Sequence, residues 1–167
     1  MKNEVIRSIT ANGIVAALYF LLTFITAPFS YMGVQVRIAE VLILLCFFRR
    51  DYVIGTTLGC ILANLLSPLG AWDVLFGSLA TLVSGLLISF TRQLFIATLW
   101  PVITNAFVVG AELYFLLELP FWTNVGLVAL GEFIAVSCIG YALFLIIGKK
   151  EHIQRLIGAK RCFNFKW

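Results

Sequence analysis

The sequence predicts an all-α integral membrane protein with six transmembrane helices and both termini in the cytoplasm. Three observations carry that expectation. Of the 167 residues 62% are hydrophobic and only 12% charged, with a mean hydropathy of +1.03, a composition that a water-soluble domain could not cover with polar surface. The apolar residues fall in six stretches separated by short polar breaks. The basic residues gather in alternate breaks. Because about 20 apolar residues cross a bilayer, the chain has room for six or seven crossings and none for a second, soluble domain.

The first stretch, Ile9–Ala27, follows a basic start and resembles a signal peptide. No small-residue cleavage site ends it, so it is read as a retained first helix. The second and third, Val36–Phe48 and Tyr52–Leu66, are short for a full span. They predict tilt, a thinned edge, or loops that dip below the membrane surface where they line a protein cavity. The fourth to sixth, Val74–Phe90, Leu94–Leu117 and Phe121–Ile147, are longer. Residues 1–148 therefore form a membrane domain, and 149–167 a basic cytoplasmic tail. The tail fits a short amphipathic segment laying Ile153, Leu156, Ile157 and Phe163 on the inner surface, or equally a solvated stop-transfer tail.

A net charge of +4 says less than its distribution. With the N-terminus in the cytoplasm, 11 of the 12 Lys and Arg residues lie on that side, leaving only Arg37 toward the outside. That asymmetry obeys the positive-inside rule, and one helix more or fewer would spoil it. The basic surplus is a topology signal and not a nucleic-acid footprint.

Ionisable groups inside a membrane cost several kcal/mol unless they face a cavity or a partner. Glu40, Asp73, Glu112 and Glu132 all map to the outer half or the middle of their helices, together with Arg37, Asn64 and Asn105. Arg37 and Glu40 are three apart, Asn105 and Glu112 seven apart, so each pair shares a helix face. A cavity in the outer half is the simplest common destination. Four carboxylates against one guanidinium favour a ligand carrying a positive group or several hydrogen-bond donors, and disfavour an inorganic anion.

Plainer roles fit each residue singly. Arg37 and Glu40 also suit an i, i+3 ion pair at a helix end, and Asn64 and Asn105 suit interhelical hydrogen bonding. Glu118, beside Pro120, reads as solvated. Trp72, Trp122 and Tyr31 sit where an aromatic belt is the ordinary explanation, although Trp72 is also placed to stack on a flat ligand. Gly55 with Gly59, Gly77 with Thr81 and Gly85, and Gly13 with Ala17 have the spacing of close helix approach. The patch of Asn12, Gly13, Ala16 and Ala17 is the one that suits a second membrane subunit.

Other function classes are disfavoured. There is no GxxxxGK[ST] phosphate loop, so any ATP-driven role needs partners. His152, the sole histidine, lies in the tail, and no GxSxG, HExxH or Cys/His metal spacing occurs. The chain is not expected to be an enzyme or to hold a metal or cofactor. Cys46, Cys60 and Cys138, inside apolar runs, read as buried reduced thiols.

The segments VQVRIAEVL at 34–42, GTTLGCILANLL at 55–66 and DVLFGSLATL at 73–82 resemble the queuosine-precursor transporter family, QueT, among the substrate-binding S components of energy-coupling factor (ECF) transporters. A looser likeness runs through PVITNAFVVGAEL at 101–113 and the pair Gly131 and Glu132. The resemblance implies a six-helix S component in the cell membrane that captures a 7-deazaguanine, such as 7-aminomethyl-7-deazaguanine, from the extracellular side. It implies a transmembrane coupling subunit and two cytoplasmic ATPase subunits as partners. It further implies that the loop Pro28–Gln35 closes over the ligand and that Gly13 and Ala17 contact the coupling subunit.

The residues agree with such a ligand. Glu40 or Glu132 suits the donor edge of the ring, Asp73 or Glu112 the ammonium, and Asn64, Asn105 or Arg37 the carbonyl. Competing readings are an S component for another heterocyclic vitamin, a non-transporting membrane assembly protein, and a stand-alone ion-coupled carrier.

Overall fold

A computed structural model of the chain describes residues 2–26 and 37–158. Within these residues all regular structure is helical. Helix α1 is Lys2–Ile25. Helix α2, Ile38–Phe48, begins as a 3-10 helix over Ile38–Leu44 and closes with one α turn, Leu45–Phe48. Then come α3, Tyr52–Asn64, α4, Ala71–Phe90, and α5, Leu94–Leu117. Helix α6, Phe121–Ile147, is α-helical to Glu132, π-helical over Phe133–Gly140 and α-helical again from Tyr141. A short α7, Glu151–Leu156, follows.

Four of these helices, α1, α4, α5 and α6, are long and apolar enough to cross a membrane. The second and third apolar stretches form the shorter helices α2 and α3. Seven 3-10 residues and four α residues make α2 about 20 Å long, as are the 13 residues of α3. Both fall about 10 Å short of a hydrocarbon core of about 30 Å.

The helices are inside-out relative to those of a soluble protein. On α4 the buried face carries Gly77, Ser78, Thr81, Ser84 and Gly85, while Leu75, Leu79, Leu82, Leu86 and Phe90 are exposed. Small and hydroxylated residues let backbones approach and satisfy hydroxyls internally, and the large apolar side chains meet lipid. Ser84 and Thr104 bond across α4 and α5, and Thr81 Oγ1 reaches Cys60 Sγ on α3 at 3.2 Å. Cys46 and Cys60 are buried, whereas Cys138 lies on an exposed face, contrary to expectation.

Helix α2 is the hub. It packs against α1, α3, α4, α5 and the π segment of α6, which explains why nearly every side chain from Ala39 to Leu45 is apolar and buried. Helix α1 crosses α3 at two glycines, where an added Cβ would stand 2.7 Å from Asn12 Oδ1 at Gly55 and 2.6 Å from Tyr19 Cβ at Gly59. Asn12 also accepts the Gly55 N–H at 2.9 Å. That N–H belongs to the first turn of α3 and has no acceptor within its own helix.

One end of the bundle gathers the basic residues. Arg49 and Ser8 both bond Asp51, Arg50 lies over the Phe90 ring at 4.8 Å, and Arg7 and Tyr52 donate to the carbonyls of Arg155 and Ile157. Exposed aromatics mark the opposite end. Trp72 begins α4, Tyr114 and Phe115 close α5, and Trp122 begins α6.

Candidate functional site

The end of the bundle away from the basic cluster holds a buried polar group built from helices α1 to α6 and the residue that precedes α2. Arg37 is extended and directly precedes α2, and its carbonyl accepts the Glu40 N–H at 3.1 Å. Glu40 lies in the first turn of the helix that every neighbour surrounds, and it is 0% exposed. The Tyr19 hydroxyl of α1 donates to Glu40 Oε1.

Asn64 ends α3. Its Nδ2 donates to the Asp73 carbonyl at 2.8 Å and contacts Cys60 Sγ at 3.3 Å. Gly77, one turn beyond Asp73, leaves the space this requires, since a Cβ there would fall 2.6 Å from Asn64 Nδ2 and 3.8 Å from Arg37 Nη1. In the turn before α4, the Ser67 hydroxyl donates to Asp73 Oδ2. Near the middle of the bundle Asn105 Nδ2 of α5 donates to Glu132 Oε1 of α6 at 2.9 Å. Glu112 lies two turns further along α5, 2% exposed.

Arg37 is within electrostatic reach of all four acids. It senses Glu40 and Asp73 directly, and it acts on both Glu112 and Glu132. The acids themselves pair off, Glu112 with Asp73 and Glu132 with Glu40. Glu40 Oε2, Asn64 Oδ1, Glu132 Oε2 and both oxygens of Glu112 are buried without a hydrogen-bonding partner. All five atoms are acceptors. Leaving buried acceptors unpaired costs about 1–3 kcal/mol each, and more for charged groups. A donor-rich guest would satisfy them together.

Seven of the eight residues expected from sequence thus come together: Arg37, Glu40, Asn64, Asp73, Asn105, Glu112 and Glu132. Trp72 does not join them. It is 51% exposed and stacks on Phe76 at 6.1 Å, because the residue before Asp73 on an α-helix points about 100° away from it. Sequence reasoning missed Tyr19, Ser67, Cys60 and Thr81. Tyr19 had a legible signal, since it stands seven residues after Asn12 and so shares its face of α1.

On the expected docking patch, Asn12 and Ala16 are buried against α3 and unavailable to a partner. Gly13 and Ala17 lie on an exposed face, and a Cβ at Gly13 would meet nothing within 4 Å. The loop Pro28–Gln35, with Tyr31, and the tail beyond residue 158, with Phe163, lie outside the described residues.

Residues 9–149 match the family described as QueT transporter. The chain belongs to the QueT transporter family. A curated relative, the "Queuosine precursor transporter QueT" of Lactococcus lactis subsp. cremoris (strain MG1363), is 33% identical over an alignment covering 93% of this chain and 100% of the relative. No solved structure matches the chain. Membership of the QueT family makes this chain a transporter and not an enzyme, as its motifs led us to expect. The match takes in every residue of the polar group.

Proposed function

We propose that this QueT family member is the membrane-embedded S component of an ATP-driven ECF importer, and that it captures a queuosine precursor of the 7-deazaguanine class in the polar group around Arg37. The observation that carries the reading is the set of five unpartnered buried acceptors on Glu40, Asn64, Glu112 and Glu132. A guanine-like edge offers ring N–H and exocyclic amine donors in one plane, which carboxylates accept bidentately, while its carbonyl needs a donor such as Arg37. Trp72, exposed as it is, is not the stacking partner in this reading.

In the proposed arrangement the six apolar stretches cross the plasma membrane with both termini in the cytoplasm. The Asp51 end, carrying the basic residues, faces inward, and the ligand site opens to the extracellular side. The chain carries no phosphate loop, so the energy comes from two ATPase subunits acting through a transmembrane coupling subunit. Gly13 and Ala17 form the surface on α1 that meets that subunit, where small side chains permit close helix contact.

Purified protein tests the binding half. At about 100 times Kd of free ligand, thermal unfolding is stabilised by about 2.7 kcal/mol if the native state binds and the unfolded state does not. Saturating 7-aminomethyl-7-deazaguanine that leaves the melting temperature unchanged refutes it. Reconstituted vesicles test the other half: uptake by this chain alone overturns the ECF assignment, and uptake only with the coupling module and ATP supports it.

A further inference from the structure

The polar group has two unlike ends. At the first, Glu40 and Glu132 each have one oxygen engaged, by Tyr19 and Asn105, and one oxygen left over. At the second, Asp73 and Glu112 face each other across α4 and α5. Asp73 is already held by the Ser67 hydroxyl. Glu112, buried to 2% exposure, receives no amide or hydroxyl donor at either oxygen, its carboxyl meeting only that of Asp73.

A carboxylate with one oxygen tied down presents a single acceptor in a fixed direction, as a planar N–H edge requires. A carboxyl whose only neighbour is a second acid can give up its proton when a cation arrives, and the pair then offers negative charge with little directional constraint, which matches a compact ammonium carrying three donors. The guanidinium of Arg37 acts on both ends at once and so does not distinguish them.

We infer that Glu112 is the specificity-determining residue for charge: it takes the cationic substituent of the ligand, with Asp73 as its fixed second acid, while Glu40 and Glu132 read the heterocyclic edge. The inference rests on the proposed binding reading and sharpens it. A ligand with the same ring but an uncharged substituent loses only the Glu112 end.

Two probes separate the ends, 7-aminomethyl-7-deazaguanine and the analogue whose aminomethyl group is replaced by a neutral nitrile. Affinities of purified protein are measured by calorimetry for both. Wild type prefers the ammonium ligand by on the order of 10- to 100-fold, the range of a charge-assisted hydrogen bond. Glu112→Gln abolishes that preference by weakening the ammonium ligand and leaving the nitrile nearly unchanged. Glu132→Gln weakens both ligands alike and keeps the preference.

Equal loss of both ligands in Glu112→Gln overturns the inference in favour of a packing role. If that variant does not purify folded, the wild-type comparison still decides, since no preference for the ammonium overturns it as well. Binding of both ligands with no charge preference sinks this inference while the proposed function stands. Binding of neither sinks both.

Discussion

Asn105 of α5 donates its side-chain amide to Glu132 of α6 across 2.9 Å, and it is the hydrogen-bonding partner that the structure gives the Glu132 carboxyl. The other oxygen is buried and unpartnered. Asn105→Ala therefore leaves the whole carboxyl without a donor, and we expect a loss of about 1–3 kcal/mol of stability. Adding Glu132→Gln recovers part of it, because a neutral amide costs less to bury than a carboxylate. Thermal unfolding of the two variants in detergent checks both steps.

Tyr19 and Glu40 form the matching contact between α1 and α2. Tyr19→Phe and Glu40→Gln are expected to be non-additive, with a coupling of about 0.5–3 kcal/mol in a double-mutant cycle. Additive losses would show that the hydroxyl and the carboxyl act independently.

The glycines of α1 and α3 should separate folding from transport. Gly59→Leu drives a side chain into Tyr19 and the Ala16 carbonyl and is expected to destabilise by about 1–3 kcal/mol, the usual cost of overpacking. Gly13→Leu points into open space. It should leave the melting temperature and ligand affinity unchanged while blocking uptake by the assembled transporter. Loss of ligand binding in Gly13→Leu would place that residue in the internal packing instead.

At the basic end, partial burial pushes the Asp51 carboxyl up, but hydrogen bonds from Arg49 and Ser8 outweigh it and hold the group below its ordinary value. A carboxylate depressed on folding stabilises the native state above its unfolded pKa of about 3.9, and that contribution disappears as pH falls through the lower folded value. Asp51→Asn should thus melt earlier than wild type at pH 5–7, about one unit and more above that pKa. The two curves should converge as the pH falls through the lower folded value. Melting temperatures recorded across that range test the sign directly.

Much of the bundle was legible because lipid leaves few options. Apolar runs located every long helix, and the ends Phe90, Leu94, Leu117, Phe121 and Ile147 agree with those expected. Errors fell where polarity misleads: α1 starts at Lys2 and α4 at Ala71, since helices continue through charged or small residues that hydropathy treats as breaks. The 3-10 winding of α2 and the π segment after Glu132 have no hydropathy signature at all. Seven residues of the buried polar group were visible because a charge or an amide in an apolar run is costly. Cys60 and Thr81 were not, because a thiol or hydroxyl in such a run is ordinary until a neighbouring helix brings a polar partner against it.

The shortness of α2 and α3 bears on more than packing. In the proposed orientation both helices stop about 10 Å below the outer edge of the hydrocarbon core, so Arg37, Glu40 and Asn64 lie buried at that depth. A ligand bound among them sits about a third of the way down the transmembrane voltage drop before any partner acts. A monocation bound there gains about 0.8 kcal/mol for each 100 mV of inside-negative potential. An energised cell would then hold the charged precursor roughly fourfold more tightly than a de-energised one, while leaving the affinity for an uncharged analogue untouched.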